Sequence, residues 1–312
     1  MNGQNGYCSD RRYFLKFVAM VAGICWFPPV SLRAAGGTLI RKRIPSTGEL
    51  VPVIGMGTSR TFDVPDDSEA ITSLGDVLEL FFRHGGTLID SSPMYGSAEQ
   101  VIGQLLQSVK RQNTLFAATK VWTHGKESGI QQMERSRQLW GIDRFDLMQI
   151  HNLRDWQVHL ETLKEMKRQG RIRYLGITTS HGRSHAELES VLQQHPFDFV
   201  QLSYNIENRE AERVLLPLAL ERGVAVIVNR PFARGSLFHK TKGKPLPSWV
   251  QEIGCQSWGQ FFLKYAVSHP AVTCAIPATS KTSHMLDNMA AGYGLLPDRA
   301  MRLRMEAHFS AL

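Results

Sequence analysis

From residue 54 onward, short apolar runs alternate with amphipathic stretches. The runs cover residues 54–56, 87–89, 115–118, 146–150, 174–177, 199–202, 224–228 and 272–276. Each is too short for a buried helix and fits a buried strand. Between them the apolar positions follow a helical period, as in 156–170, where Leu160, Leu163 and Met166 share one face. Gly170 is placed to stop that helix, and Gly223 to stop the next but one, over 211–222. Ahead of the first run, residues 40–44 and 50–53 flank Ser46-Thr47-Gly48-Glu49, which predicts a β-hairpin. In the segment GTLIDSSPMYGSAEQVIG (86–103), Ser91-Ser92-Pro93 breaks the strand. Ser97, with Glu99-Gln100 behind it, is then expected to cap a helix carrying Val101, Leu105 and Leu106.

Strict strand–helix alternation predicts parallel strands joined by crossover helices. A doubly wound open sheet satisfies that pattern too. Eight units within 312 residues favour the closed alternative, an α/β fold in which a (β/α)8 TIM barrel follows the N-terminal hairpin. The glycine-rich dinucleotide turn GxGxxG is missing, since Gly55-Met56-Gly57-Thr58 supplies two glycines and stops. A nicotinamide cofactor would have to be held in another way.

The formal charge of +8 is uneven. Arg11, Arg12, Lys16 and Arg33 face the single acid Asp10 within residues 1–36. There Ser-Asp-Arg-Arg-Tyr-Phe-Leu-Lys precedes an apolar stretch over 17–27, Pro28-Pro29 and the small residues Ala34-Ala35-Gly36. Charged, apolar and small-residue regions in that order predict a secretory signal, and the arginine pair followed by Phe-Leu-Lys resembles a twin-arginine address. The reading is a signal peptide over 1–36, a barrel domain over 37–312, use of the export machinery, and a periplasmic or otherwise exported bacterial protein. The apolar stretch is short for a membrane span, so no span is expected after cleavage; an uncleaved anchor is the alternative. The basic surplus comes without a basic–aromatic cluster, so nucleic acid is not an expected partner. Cys255 and Cys274 remain after the signal, either as a disulfide or as two buried thiols, and no spaced His/Cys set suggests a metal.

In a parallel barrel the positions just beyond strand C-termini converge on one mouth. Those positions here are Asp90 and Tyr95, Lys120, and His151. Tyrosine with an ordinary pKa near ~10 is a weak acid, and a nearby lysine cation favours its phenolate. A carboxylate beside the lysine holds it charged. A histidine at the rim can hydrogen-bond a substrate oxygen. Such a set suits protonation of a carbonyl oxygen while hydride reaches the carbon. Trp122 and Trp156 stand either at the substrate mouth or in the core, and His124, His181 and His185 on surface loops.

With these residues in place the chain resembles the aldo/keto reductases, from the hairpin near Ile40 to Asn288, and 86–103 resembles that family's first signature. The resemblance implies Tyr95 as general acid, Lys120 as the group that tunes it, Asp90 as partner of Lys120, and His151 as the group orienting the carbonyl. It implies NADP as cofactor, with NAD also admissible, and a small carbonyl compound as substrate. Gln201 matches the glutamine that binds the carboxamide, and Thr178 and Thr179 stand where the family has Ser-Asn. Gly57 and Thr58 join the cofactor set, and residues 276–288, with Ser280, Lys281, His284 and Asn288, resemble the segment that holds the adenosine phosphate and adenine. Three departures stand out. His284 and Ala278 replace the usual phosphate-binding Arg and Lys, which weakens preference for NADPH. Asn229 replaces the aromatic that stacks on nicotinamide, so Arg230 or a neighbouring aromatic must cover the ring. Only 24 residues follow Asn288, which implies an open substrate site. The expected activity is NAD(P)H-dependent reduction of an aldehyde or ketone. A cofactor-binding sensor or regulatory subunit on the same fold is the alternative.

Overall fold

A computed structural model describes residues 37–109 and 114–312. The signal reading for residues 1–36 lies outside the described residues. The hairpin forms as β1 (Arg41–Arg43) and β2 (Leu50–Pro52), antiparallel. Eight parallel strands follow in sequence order: β3 (Met56–Gly57), β4 (Leu88–Asp90), β5 (Phe116–Val121), β6 (Phe145–Ile150), β7 (Ile172–Thr178), β8 (Phe199–Ser203), β9 (Ala225–Asn229) and β10 (Val272–Ala275). Last meets first through parallel bridges Ile54–Ala275 and Gly57–Ala278, with Gly55 N donating to Ala275 O at 2.9 Å. The barrel therefore closes, and the open-sheet alternative falls. Gly57 is required by that closure, since a Cβ there would lie 2.7 Å from Ile276 O.

Helices α1 (Ser68–Arg83), α2 (Ala98–Ser108), α3 (Lys126–Trp140), α4 (Trp156–Arg168), α5 (His185–Gln194), α6 (Leu215–Glu221), α7 (Ser236–Lys240), α8 (Trp258–Ser268) and α9 (Thr282–Ala290) fill the crossovers, and α10 (Arg299–Ser310) ends the chain. Gly170 and Gly223 take left-handed φ of 72° and 64° just past α4 and α6, as their sequence positions predict. Two details differ from expectation. Residues 210–212 form a separate 3-10 turn, so α6 starts at Leu215. Ser97 makes no side-chain cap to α2; its N–H and Oγ both donate to Asp63 Oδ1, at 2.9 and 3.0 Å, across the mouth.

Alternation along the strands sorts the barrel interior into layers. Leu88, Phe116, Ala118, Leu147, Tyr174, Phe199, Ala225, Ile227 and Cys274 form an apolar cluster inside it. Ile44 and Val51 of the hairpin belong to the same cluster, so β1–β2 plugs the N-terminal end. Lys42 fastens the plug, its Nζ donating to the carbonyls of Val267, His269 and Val272 at 2.7, 2.9 and 2.7 Å. One alternation further up, the same inward rows carry Asp90, Lys120, Gln149, Gln201 and Asn229. A site is thus built directly on the core. Cys255 and Cys274 are separate buried thiols, not a disulfide.

Candidate active site

Asp90 closes β4 and Lys120 lies inside β5; both are buried, and Lys120 Nζ donates to Asp90 Oδ2 at 2.6 Å and to Ser91 O at 2.7 Å. The other carboxylate oxygen accepts from Gln149 Nε2 at 2.8 Å and Gln201 Nε2 at 2.9 Å. Asp90 is therefore held by a cation on one oxygen and two amides on the other, an arrangement that supports Lys120. Gly176 makes this possible, because a Cβ there would press on Gln149 Cγ at 3.0 Å.

Tyr95 sits above the pair, its ring centroid 5.1 Å from Lys120 Nζ. Burial raises the phenol's pKa, the Lys120 charge pulls it down, Asp90 pushes it up, and the balance lies above the ordinary tyrosine value. The sequence-based expectation of a lowered pKa is reversed because desolvation outweighs the lysine. A phenol in this state is protonated at physiological pH. Lys120 stays an ammonium: burial opposes its charge, but Asp90 and Tyr95 hold its pKa above the usual value.

His151 opens the turn after β6, buried, its ring edge-on to Tyr95 with centroids 5.9 Å apart. Burial first, then the Lys120 and Arg154 charges, push its pKa down to about 3. The imidazole is neutral at physiological pH. Its Nδ1 pairs with Ser92 Oγ at 2.9 Å. With Ser92 donating to Nδ1, the Nε2–H is left to reach a ligand. Tyr95 and His151 both line a cavity of about 780 Å³ at the C-terminal mouth of the barrel.

That cavity also takes in Gly57, Thr58, Thr178, Thr179, Gln201, Asn229, Arg230, His284 and Asn288. Ser280 and Lys281 stand outside its lining and are exposed; Lys281 is the N-cap residue of α9. Thr58 Oγ1 donates to Asp90 O at 3.0 Å, and Thr178 Oγ1 accepts from Asn152 N at 3.0 Å. Asn229 is locked sideways: its Oδ1 accepts from Ser203 Oγ at 2.6 Å and its Nδ2 donates to Thr179 O at 3.0 Å. Thr179 Oγ1, by contrast, is buried without a partner, as are Ser91 Oγ and Arg230 Nε. Phe232, Phe238 and Trp258 supply aromatic surface to the same cavity. Trp122 stacks under Arg154, 4.7 Å from ring centroid to guanidinium carbon, and Trp156 packs against His195; neither lines the cavity.

Sequence reasoning missed Ser92 and Gln149, and also Arg60, Arg183 and Arg234, which line the same cavity. Alternation along β6 points at Gln149, two residues after the core residue Leu147. Nothing local marks Ser92 as the partner of a residue 59 positions away. Among the described residues no group of three His, Cys, Asp or Glu side chains is placed to hold a metal ion, and no helix is long and apolar enough to cross a membrane.

The profile of the Aldo/keto reductase family matches residues 53–305. Methylglyoxal reductase YeaE of Escherichia coli (strain K12) is 26% identical over 257 residues, covering 80% of this chain and 89% of that one. The aldo-keto reductase YhdN of Bacillus subtilis (strain 168) is 26% identical over 216 residues, 63% of each chain. Among solved structures, the thermostable aldo-keto reductase Tm1743 in complex with the inhibitor epalrestat matches with a TM-score of 0.72 at 26% identity, over 86% of this chain and 99% of that one. An aldo/keto reductase from Klebsiella pneumoniae in complex with NADP and acetate shares the fold at a TM-score of 0.68 and 21% identity, over 84% and 93%. The matched profile spans the barrel from just before β3 into α10, and the chain belongs to the aldo/keto reductase family.

Proposed function

We propose that the protein reduces the carbonyl of a small aldehyde or ketone to the alcohol, with NADPH or NADH as reductant and Tyr95 as proton donor. The observation that carries this reading is a protonated phenol set between a buried Lys120–Asp90 ion pair and a neutral imidazole, with Tyr95, His151 and Asp90 lining one cavity and Lys120 buried beneath it.

The cavity fits a nicotinamide dinucleotide. Thr179 Oγ1 and Arg230 Nε are buried polar atoms without partners, and they belong to residues that line a space large enough for an extended ligand. Thr179, with the neighbouring Gln201, would hold the carboxamide, and His284 and Asn288 the adenosine end. Bound there, the reduced cofactor supplies hydride to the carbonyl carbon. His151 Nε2–H and the Tyr95 hydroxyl would grip the carbonyl oxygen from two sides and polarise it. As negative charge grows on that oxygen, the Tyr95 proton moves to it. Lys120, fixed by Asp90 and Ser91 O, stabilises the phenolate left behind. Reprotonation from solvent through the open mouth resets Tyr95.

Tyr95→Phe tests this. Turnover of a panel of small aldehydes should fall about 10²- to 10⁴-fold, the usual worth of a positioned general acid, while dinucleotide binding followed by fluorescence stays near wild type. Wild-type turnover in the variant would refute the mechanism. Tight dinucleotide binding with negligible turnover by the unaltered protein would mark a sensor instead. Export through the residue 1–36 segment is part of the proposal, supported by its Arg-Arg and apolar pattern. Cell fractionation of an Arg11→Lys/Arg12→Lys variant tests it, with retention in the cytoplasm as the expected result.

A further inference from the structure

Four arginines line the middle of the cavity: Arg60 after β3, Arg183 after β7, and Arg230 and Arg234 after β9, with His181 among them. Among the described residues none of the four lies within salt-bridge distance of a carboxylate, although seven other arginines do. Arg230 is the most committed. Its Nε is buried with no partner, and its carbonyl is held by Asn205 Nδ2 at 3.2 Å. The loop that presents it is strained: Arg230, Ala233 and Arg234 all adopt left-handed φ, at 53°, 47° and 59°. Three such non-glycine residues in one short loop point to a functional demand on its shape. Burial, then the charges of Arg234, Arg60 and Arg183, lower the pKa of Arg230, so the guanidiniums repel one another without an acid to relieve them.

The adenosine end of the same cavity is the opposite. Ala278, His284, Asp287 and Asn288 line it, and Asp287 accepts from Ser257 Oγ at 2.6 Å and Gln260 Nε2 at 2.7 Å. Among the described residues no arginine or lysine lines that end. A ligand running from Thr179 on the β7 side to Asn288 beyond β10 must pass the β9 loop, where the unpaired charge is concentrated.

We propose that Arg60, Arg183, Arg230 and Arg234 form a diphosphate clamp that carries the anchoring charge for the dinucleotide, so that the adenosine 2′-phosphate is dispensable and NADH binds about as well as NADPH. This rests on the reading of the cavity as a dinucleotide site. The chemistry is that of paired guanidiniums with phosphate oxygens, which a lysine or a helix end does not replace. A phosphate or carboxylate on the carbonyl substrate could satisfy the same arginines, and the binding test separates the two sources.

The test is titration of the purified protein by tryptophan fluorescence, without substrate, using NADPH, NADH and ADP-ribose as probes. For the wild type the NADPH and NADH dissociation constants should agree within about threefold. In R230Q/R234Q both should rise at least about tenfold together, the loss of one charge-assisted contact or more, with ADP-ribose following and with a shallower dependence on salt. H284R should tighten NADPH alone. R60Q and R183Q, on separate loops, repeat the measurement should the double variant fold poorly, as checked by thermal melting. Wild-type NADPH binding more than about thirtyfold tighter than NADH would overturn the proposal. So would variants that hold both dinucleotides within about twofold of wild type while raising KM for carboxylate-bearing aldehydes, which would assign the arginines to the substrate. Failure of all three probes to bind the wild type would instead bring down the dinucleotide reading itself. Binding that follows the clamp pattern without turnover would leave the clamp standing and remove the reductase reading.

Discussion

Replacing Lys120 with Met tests whether the ion pair under Tyr95 works as a unit. The ammonium is fully buried and 2.6 Å from Asp90 Oδ2. Its removal leaves a buried carboxylate with one oxygen unpartnered, while the other keeps Gln149 and Gln201 at 2.8 and 2.9 Å. Breaking a buried pair from one side costs about 3–5 kcal/mol. The two surviving amide bonds place Lys120→Met near the lower end. Asp90→Asn leaves the cation with only Ser91 O at 2.7 Å and should cost a similar amount. The double variant removes both charges and keeps an amide oxygen for the two glutamines, so its cost should lie well below that of the singles combined. A coupling of at least about 2 kcal/mol is expected. Urea unfolding of the four proteins at pH 7 measures it. A coupling below about 1 kcal/mol would show that Asp90 and Lys120 contribute independently, and the account of Asp90 as a support for the lysine would fail. Turnover should be lost in all three variants, because each leaves Tyr95 without a fixed cation beside it.

His151 titrates near 3 in the fold and near ~6.5 when unfolded, so between those values the unfolded chain binds the extra proton and stability falls as pH falls, by up to about 1.4 kcal/mol per unit. Unfolding at pH 7, 6 and 5 should show that slope, reduced in His151→Gln; an unchanged slope would place the titration elsewhere. Ser92→Ala removes the Nδ1 partner of His151 and should lower kcat about tenfold with little change in melting temperature; steady-state kinetics with calorimetry checks it. Gly57→Ala drives a methyl to 2.7 Å from the Ile276 carbonyl, where backbone cannot yield cheaply, and should lower the melting temperature by several degrees, a cost of about 1–3 kcal/mol.

The barrel was legible because its two periods, strand and helix, are local properties of the chain. The four candidate catalytic residues were legible for a related reason. Asp90 and Lys120 each lie two residues beyond a core residue, Leu88 and Ala118, so alternation alone turns them inward. What escaped depends on contacts between distant segments. Glu99 reads in sequence as part of a helix cap, yet it is buried and accepts from Thr119 Oγ1 at 2.5 Å, Ser136 Oγ at 2.7 Å and Trp140 Nε1 at 3.3 Å, donors supplied by β5 and α3. Ser97 was left without its expected role because Asp63, on the loop after β3, takes both its Oγ and its N–H.

The direction of the Tyr95 shift was illegible for a different reason. Sequence gives the sign of the neighbouring charges but not the depth at which they act. Lys120 lowers the phenol's pKa as its charge requires, and burial reverses the outcome. Depth also sets His151 apart from an ordinary surface histidine: the desolvation that keeps Tyr95 protonated is the same that keeps His151 neutral. In the proposed reaction both groups would therefore enter as donors, and the Lys120 ammonium, 5.1 Å from the Tyr95 ring centroid, would stabilise the phenolate once the proton has left. On that reading the proton comes from Tyr95 and the orienting hydrogen bond from His151, whose pKa the same cation lowers.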